Sequence, residues 1–439
     1  AKGADVRDCL IVCAVGGVRA TRRRAVFVSN HRLESLSRIT VSNHEGHFMK
    51  IEFTAEQEAL QKELRAYFDE LLTPELQEEL AGGGEGGGPE FRKAMRRLGA
   101  DGWIGLSWPK ELGGKEATAM EQYIFTEEVM RTGFPYPFLT TEAVGPVLNE
   151  HATDEIKEAI VKPILRGEVV IAIGYSEPGA GTDLASLTTR AERDGNEWVI
   201  NGQKTFTSLA DFSDYIWLAV RTDPDSKKHR GLSMILVPND TPGLTIAPIW
   251  TMGVRTNTTY YDNVRVPSDY LVGGEGNGWG LITGQLNRER LSLVNHGSAD
   301  MLYCNVAKWA AETRRPDGTR VIDQPWVQTN LAKVKSGLEA LKLVCWKQAW
   351  AMTEGNLQMA DASVAKVYGT EYFLEHYRLL GEVLGQDGST IKKNSPGAIL
   401  KGRLEFMYRV GSILTFGGGT NEVQRDIIAA AGLGMPRSR

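Results

Sequence analysis

The sequence predicts an α+β protein with an N-terminal α-helical domain, a middle antiparallel β-barrel or sandwich domain and a C-terminal α-helical bundle. Apolar residues recur at helical spacing between Met49 and about residue 170, and short β-rich runs bounded by Pro, Gly and Asp fill 171–272. Long helical runs return after Trp279. At about 100–200 residues per domain, 439 residues form two or three domains. We therefore divide the chain into segments 1–48, 49–170, 171–272 and 273–439.

Composition and charge exclude several classes of protein. A net charge of −5 argues against binding to nucleic acid or to an anionic membrane surface, because both attract basic proteins. No run approaches the ~18–20 apolar residues that a membrane-spanning helix needs. The four cysteines and seven histidines show neither a disulfide pattern nor metal-ligand spacing, so we expect no metal site. The sequence is typical of a globular protein in the reducing cytoplasm.

The first 48 residues differ from the rest of the chain. They carry eight Lys and Arg against four Asp and Glu, a balance of +4 that leaves −9 for residues 49–439. The basic residues 22–24 follow the apolar run 10–15, whereas a secretory signal has its basic residues first. A transit peptide and translation of DNA upstream of a natural start at Met49 both stay open. We expect this extension to be poorly ordered.

Helix signals recur through the first domain. Thr54 is a good N-cap, and Gln57 three positions later completes a capping box. Further helices are predicted over 91–98 and 123–130. The glycine run 82–89 is interpreted as a flexible connector, because a phosphate-binding loop would follow a strand and precede Gly-Lys-Ser/Thr.

The middle and last domains have equally distinct patterns. Asp194-Gly195 predicts a hairpin between Ala191–Arg193 and Glu197–Ile200. Further strands are predicted at Tyr215–Val220, Leu232–Pro238 and Leu244–Trp250. Helices are predicted over about 279–313, 324–353, 357–384 and 396–413, with a last helix after the glycines 417–419.

Two loops of the middle domain could bind a flat ligand. The first, 175–183, follows an apolar strand and combines small residues with hydroxyls, so that backbone N–H groups can approach a ligand closely. In the second, 202–208, Phe206 lies between hydroxyls and could stack on a ring system. The alternative for 175–183 is a tight turn at the end of a strand, and the alternative for 202–208 is a half-buried strand.

Glu289 lies within a long predicted helix. Its helical neighbours at −7, −3 and +4 are all apolar: Ile282, Leu286 and Leu293. A carboxylate on such a face loses hydration, so we expect a raised pKa, as a general base working near neutrality needs. A buried ion pair with Arg288 or Arg290 is the alternative.

The glycine triplet 417–419 leads into Thr420, a good N-cap. The helix that follows offers unpaired N–H groups and a positive dipole end to an anion or a carbonyl oxygen.

These four stretches, in this order and within helical, β and helical blocks, resemble the acyl-CoA dehydrogenase family. The resemblance covers essentially all of 49–439 and depends most on Glu177-Pro178-Gly179-Ala180-Gly181-Thr182-Asp183 and Asn201-Gly202-Gln203-Lys204. It implies FAD-dependent α,β-dehydrogenation of an acyl-CoA thioester, with electrons passed to an electron-transfer flavoprotein. It further implies cofactor contacts from Tyr175, Ser176, Gly181, Thr182, Phe206, Ser208 and Thr420, and substrate contacts from Arg290, Thr182 and Gly418.

The chain departs from the family at informative positions. Most members carry the catalytic Glu in Tyr-Glu-Gly-Thr, but Gly418 stands at that place here. A minority supply the base from the helix that holds Glu289, and the Leu-x-x-Glu-Arg-Leu match implies that role for Glu289. The Gly418 N–H would then bind the thioester oxygen, and the vacated volume would admit a branched or steroid acyl group. Phe206 replaces the family's usual Trp.

Two further departures concern subunits. The segments 382–388 and 314–318 differ from the family loops that hold the adenine end of a neighbour's FAD. The chain thus resembles one subunit of the actinobacterial α2β2 heterotetramers that shorten sterol side chains, which implies a homologous partner subunit. A homotetramer, an acyl-CoA oxidase and a non-catalytic partner subunit are the alternatives.

Overall fold

The computed structural model describes residues 39–42, 48–81, 86–389 and 398–436. In these residues a helical block, a β-sheet and a second helical block follow one another, which confirms the predicted α+β class. Most of the extension 1–48 lies outside the described residues. Its strand Ile39–Ser42 (β1) pairs antiparallel with Phe48–Ile51 (β2). None of the described helices is long and apolar enough to cross a membrane.

The first block packs short helices around an aromatic core that includes Phe68, Phe91 and Phe125, all fully buried. The predicted capping box is confirmed, because the Thr54 hydroxyl accepts from the Gln57 N–H at 3.3 Å and the Gln57 side chain accepts from the Thr54 N–H at 3.0 Å. Residues 82–85 of the glycine connector lie outside the described residues. The helices are Ala55–Leu71 (α1), Pro74–Ala81 (α2), Pro89–Ala100 (α3), Ala119–Thr132 (α4), Gly145–His151 (α5), Asp154–Ile156 (α6) and Lys162–Leu165 (α7).

The middle block is one eight-stranded sheet. Its strands are Ile171–Gly174 (β3), Arg190–Asp194 (β4), Glu197–Lys204 (β5), Tyr215–Arg221 (β6), Leu232–Pro238 (β7), Leu244–Trp250 (β8), Arg255–Pro267 (β9) and Leu271–Val272 (β10). The order is β10-β7-β6-β4-β5-β9-β8, with β3 beside β6. The predicted hairpin is confirmed, with Asp194 opposite Glu197. Most neighbouring strands pair antiparallel, as predicted, whereas β3 and β4 pair parallel to β6. Hairpin signals reveal only adjacent strands, whereas parallel partners are joined by longer connections.

The last block is a helical bundle made of Gly278–Leu293 (α8), Gly297–Glu312 (α9), Pro325–Thr353 (α10), Met359–Leu384 (α11), Arg403–Gly411 (α12) and Asn421–Ile427 (α13). The single helix predicted over 279–313 is divided at 294–296. Asn295 accepts from the Gly297 N–H at 2.7 Å, and His296 contacts the Glu127 carboxylate at 3.2 Å. These side-chain bonds compete with continuation of the helix.

The helix predicted over 396–413 is shorter than expected. Leu400, Lys401 and Gly402 have φ values of 51°, 56° and 69°, so α12 begins only at Arg403. Residues 390–397 before them lie outside the described part of the chain.

Helix α11 is central to the bundle and packs against α8, α10, α12 and α13. Its Gly369 permits a close approach, since an added Cβ would lie 2.3 Å from Cγ1 of Val294, the residue directly after α8. This contact fixes α11 against the end of the helix that carries Glu289.

Candidate active site

A buried carboxylate anchors the loop after β3. Glu177 accepts hydrogen bonds from the Thr188 N–H and hydroxyl, both at 2.7 Å, and from the Thr189 N–H at 2.8 Å. Only 7% of Glu177 is exposed. These bonds satisfy the carboxylate inside the protein and hold the loop against the segment that enters β4.

Lys204, the last residue of β5, connects this loop to the second one. Its ammonium donates to Glu177 at 2.8 Å and to the backbone carbonyl of Tyr175 at 3.1 Å, and it is fully buried. Burial raises the pKa of the Glu177 carboxyl, but Lys204 and Thr189 outweigh burial and hold that pKa at about 2. Burial lowers the pKa of the Lys204 ammonium to about 8 against the attraction of Glu177. Both groups are therefore charged at neutral pH, and the two loops are joined by a buried ion pair.

The second loop runs directly beside the first. The Thr205 N–H donates to the Ser176 carbonyl at 2.8 Å, and the Ser208 hydroxyl lies 3.0 Å from that of Thr256. Between them, Phe206 has a φ of 58° and is 62% exposed. A large side chain in the left-handed region is strained, and an exposed aromatic ring gives up burial energy. This combination of strain and exposure makes Phe206 a candidate for contact with a ligand.

The far arm of the first loop is open to solvent. Gly181 and Thr182 are both exposed, and within the described residues no atom lies within 4 Å of a Cβ placed at Gly181. Lys228 pairs with Asp183 at 2.6 Å and fixes the end of this arm. The backbone here is accessible to a ligand.

Tyr175 links the first loop to Glu289. The Tyr175 hydroxyl is buried and accepts from the Trp217 indole N–H at 3.1 Å. Burial raises the pKa of Tyr175, the Trp217 bond opposes this, and the negative charge of Glu289 raises the pKa further. The charge of the Glu289 carboxylate therefore reaches Tyr175, the residue before Ser176.

Glu289 is half-buried on α8, and the fully buried Gln285 one turn earlier donates to its carboxylate at 2.8 Å. This bond fixes the direction of the carboxylate on the helix face. Arg288 forms an ion pair with Glu150 on α5. The side chain of Arg290 lies outside the described residues, so the alternative ion pair and the expected pKa of Glu289 stay predictions.

The glycine turn lies beside α11. Gly418 and Gly419 have φ values of 67° and 96°, a region that other residues rarely adopt. The Thr420 hydroxyl caps α13 by accepting from the Val423 N–H at 3.3 Å, as the sequence predicts. Because α11 packs against both α8 and α13, it connects this turn with the helix of Glu289.

The structure therefore brings Tyr175, Ser176, Phe206, Ser208 and Glu289 into one region, with Gly181 and Thr182 on the open arm of the same loop. Gly418 and Thr420 belong to a separate turn. Sequence reasoning did not predict that the buried polar residues Glu177, Lys204 and Gln285 hold these pieces in place. For Lys204 a signal was present, since it has the same strand parity as the buried Trp198 and Ile200.

Comparison with known proteins identifies the family of the three blocks. Family models for the N-terminal, middle and C-terminal domains of acyl-CoA dehydrogenases match residues 54–168, 172–264 and 276–433. The acyl-CoA dehydrogenase FadE26 of Mycobacterium tuberculosis is 50% identical over 399 residues, which cover 89% of this chain and 100% of FadE26. The acyl-CoA dehydrogenase FadE29 of the same organism is 42% identical over 391 residues, which cover 89% of this chain and 99% of FadE29.

Two solved structures are similar over the same extent. A chain of the ChsE4–ChsE5 complex from Mycobacterium tuberculosis is 49% identical and superposes with a TM-score of 0.83, covering 89% of this chain and 100% of that one. A chain of the Tcur3481–Tcur3483 steroid acyl-CoA dehydrogenase is 47% identical with the same TM-score and coverage. Three domain models in the family's order and relatives at this identity leave one conclusion: the chain belongs to the acyl-CoA dehydrogenase family.

Proposed function

We propose that this acyl-CoA dehydrogenase uses FAD to form a 2-enoyl thioester from a branched or steroid side-chain acyl-CoA. The observation that carries the proposal is Glu289, a half-buried carboxylate that accepts a hydrogen bond from Gln285 and whose charge raises the pKa of Tyr175 in the first loop. The similarity to the Tcur3481–Tcur3483 steroid enzyme supports the substrate class. Gly418 supports it too, because no side chain at this position takes up acyl-group volume.

The two loops fit FAD. The hydroxyls of Ser176 and Ser208 suit the polar edge of its ring system, and the exposed Phe206 suits its face. The residues that we propose to hold the cofactor are Tyr175, Ser176, Gly181, Thr182, Phe206, Ser208 and Thr420. When bound, FAD supplies the acceptor for the β-hydrogen, a chemistry that amino-acid side chains lack.

The chain's own residues provide the acid–base and electrostatic parts of the reaction. In the proposal, the Gly418 N–H donates to the thioester oxygen, where negative charge develops as the α-proton leaves. The Glu289 carboxylate accepts that proton, and the Gln285 amide keeps it aimed during the transfer. Arg290 and Thr182 contact the CoA part of the substrate.

We also propose a homologous partner subunit in an α2β2 heterotetramer, with electron-transfer flavoprotein as the acceptor. The similarity to the ChsE4–ChsE5 complex supports this assembly. Two bonds in the loops that differ from the family, 314–318 and 382–388, also support it. Arg314 donates to the Gly318 carbonyl at 2.8 Å, and Glu382 accepts from Asn330 at 2.8 Å. Both side chains are thus engaged within this chain and not directed at the FAD of a neighbour. The partner would supply the contacts to the adenine end of FAD.

The first experiment replaces Glu289 by Gln in the flavin-loaded complex. Flavin content should stay normal while turnover falls by about 10²–10⁴-fold, the usual contribution of a positioned base. Glu150→Gln is the matched control, because it removes an exposed carboxylate that pairs with the neighbouring Arg288 and has no role in the proposed reaction. Near-normal turnover in Glu289→Gln would refute the assignment of the base.

The second experiment measures flavin stoichiometry and turnover on straight, branched and steroid CoA esters, with the chain alone and co-expressed with a homologous partner. We expect one FAD per pair of unlike chains and a preference for branched or steroid esters. One flavin per chain in a homotetramer would contradict the heterotetramer. Rapid peroxide formation without an acceptor protein would indicate an oxidase.

A further inference from the structure

A buried lysine lies behind the glycine turn. Lys366, in the first half of α11, is fully buried, and its ammonium donates to the Thr415 carbonyl at 3.0 Å, the Gly419 carbonyl at 2.7 Å and the Asn421 side chain at 2.8 Å. An ammonium has three N–H bonds, so each of them has an acceptor within reach. The proposed reaction uses none of these atoms directly.

The acceptors are arranged around Gly418. The carbonyls of Thr415 and Gly419 lie before and after the segment 416–418, so one ammonium holds both ends of the turn. The turn consists largely of glycine, which has more backbone freedom than any other residue. The side chains of the turn therefore contribute little to holding its backbone in one conformation. The internal bond from the Gly417 N–H to the Ile413 carbonyl, at 2.8 Å, restrains only the first part.

The third acceptor is itself held in place. The Asn421 amide donates to the Thr370 hydroxyl at 3.1 Å and to the Glu371 carboxylate at 3.2 Å. Glu371 in turn accepts from Arg425 at 2.6 Å. The ammonium therefore connects the turn to side chains of α11 and α13 that cannot shift independently.

The choice of lysine is informative. Removing an ammonium from water carries a large penalty, and replacing a whole buried ion pair by apolar residues is often neutral or stabilising. A charged residue at a fully buried position is then best explained by the geometry that it imposes on its partners.

We propose that Lys366 is a positioning residue that holds the Gly418 N–H in the orientation needed to bind the thioester oxygen. This inference rests on the proposed function, in which that N–H stabilises the developing charge. It predicts that loss of the ammonium weakens recognition of the carbonyl oxygen specifically, and leaves recognition of the rest of the substrate intact.

The test compares two CoA ligands in the flavin-loaded Glu289→Gln complex, where turnover does not interfere. One ligand is an acyl-CoA thioester, and the other is the matching thioether, which lacks the carbonyl oxygen. The parent should bind the thioester more tightly. Lys366→Met should reduce that preference by about 10–100-fold with thioether affinity unchanged, because the donor is displaced by up to about 1 Å and not removed.

Ser363→Ala is the matched control. Ser363 is fully buried one turn earlier on α11 and bonds Gln424 of α13 at 2.8 Å, so it perturbs the same helix pair without touching the turn. It should keep the parent's preference. With Glu289 present, Lys366→Met should lower kcat more than it raises KM, and amide hydrogen exchange across 416–420 should accelerate.

The outcomes distinguish a failure of the proposed role of Gly418 from a failure of the positioning role of Lys366. A parent complex without preference for the thioester would refute the role of Gly418 and this inference with it. A parent preference that Lys366→Met retains would refute the inference alone. If Lys366→Met does not fold, Asn421→Ala removes one of the three acceptors and should reduce the preference by about 2–10-fold, the worth of one hydrogen bond. An unchanged preference in that variant would overturn the proposal.

Discussion

Replacing Lys204 by Met should destabilise the protein strongly at neutral pH and release its flavin. The substitution removes the ammonium that bonds Glu177 and the Tyr175 carbonyl, and leaves the Glu177 carboxylate buried beside an apolar side chain. Because this lysine joins the two loops that we propose to hold the cofactor, its loss should affect both folding and flavin binding.

The structure gives the size of the effect. Removing one partner of a buried ion pair costs about 3–5 kcal/mol, since the other charge stays uncompensated. The fall of the Glu177 pKa from 4.5 to about 2 corresponds to about 3 kcal/mol of preference for the ionised form. The bonds from Thr188 and Thr189 remain in the variant, so we expect a loss of about 3 kcal/mol at pH 7, the lower end of that range.

The loss should also depend on pH. In the wild type a lowered Glu177 pKa contributes stability that is complete above pH 4.5 and disappears as pH falls toward 2. Without Lys204, only the bonds from Thr188 and Thr189 oppose the effect of burial on the carboxyl, so the pKa of Glu177 rises. The variant then gains stability as its carboxyl takes up a proton, and its deficit should shrink between pH 7 and pH 4.5.

Urea denaturation followed by far-UV circular dichroism, at several pH values, measures this deficit. Glu177→Gln combined with Lys204→Met should recover most of it, because no unpaired charge remains. Lys228→Met is the matched control: it breaks an exposed pair with Asp183 in the same loop and should cost less than about 1 kcal/mol. A Lys204→Met variant no less stable than Lys228→Met, or equally unstable at pH 4.5 and 7, would refute the reasoning.

Three further predictions concern stability. Burial raises the pKa of Glu142 from 4.5 to about 7, so the ionised carboxylate destabilises the folded protein at high pH. The free energy of unfolding of Glu142→Gln should therefore equal that of the wild type at pH 4 and exceed it by about 3 kcal/mol at pH 8. Denaturation at several pH values measures this, and a difference that does not change with pH would contradict it. Gly369→Ala should lower the free energy of unfolding by about 1–3 kcal/mol and reduce turnover, because the added Cβ would overlap Val294. Gly381→Ala on the same helix is the control, since an added Cβ there meets no described atom. It should be neutral or stabilising in thermal unfolding. Thr420→Ala should cost about 1 kcal/mol in the same assay, and an unchanged midpoint would argue against the cap.

The sequence predicted best what is decided locally. The cap at Thr54 depends on residues three positions apart, and the strands 232–238 and 244–250 are bounded by turn residues within a few positions. The break at 294–296 could not be found in this way. It depends on Glu127 and Tyr123 of α4, which meet His296 only after the chain has folded.

The candidate site shows the same division. Helical periodicity was sufficient to put Glu289 on an apolar face, because that depends on neighbours within two turns. The partners of the loops were not predictable, since Lys204 and Lys366 reach carbonyls and side chains that lie far from them in sequence or on another element. Loops rich in Gly, Ser and Thr have few apolar side chains to bury, so polar bonds from other elements help to hold them.

These two lysines act in the same way on the two halves of the site. Each lies on a regular element, β5 or α11, and extends its ammonium to a backbone carbonyl, that of Tyr175 or of Gly419. The described peptide bonds are trans, so the N–H of the next residue points opposite to that carbonyl. A carbonyl directed at a buried lysine therefore turns the N–H of Ser176 or Thr420 away from the lysine ammonium. Both residues are ones that we propose to contact the cofactor, so in each half of the site a buried cation on a rigid element orients the backbone of a ligand-binding loop.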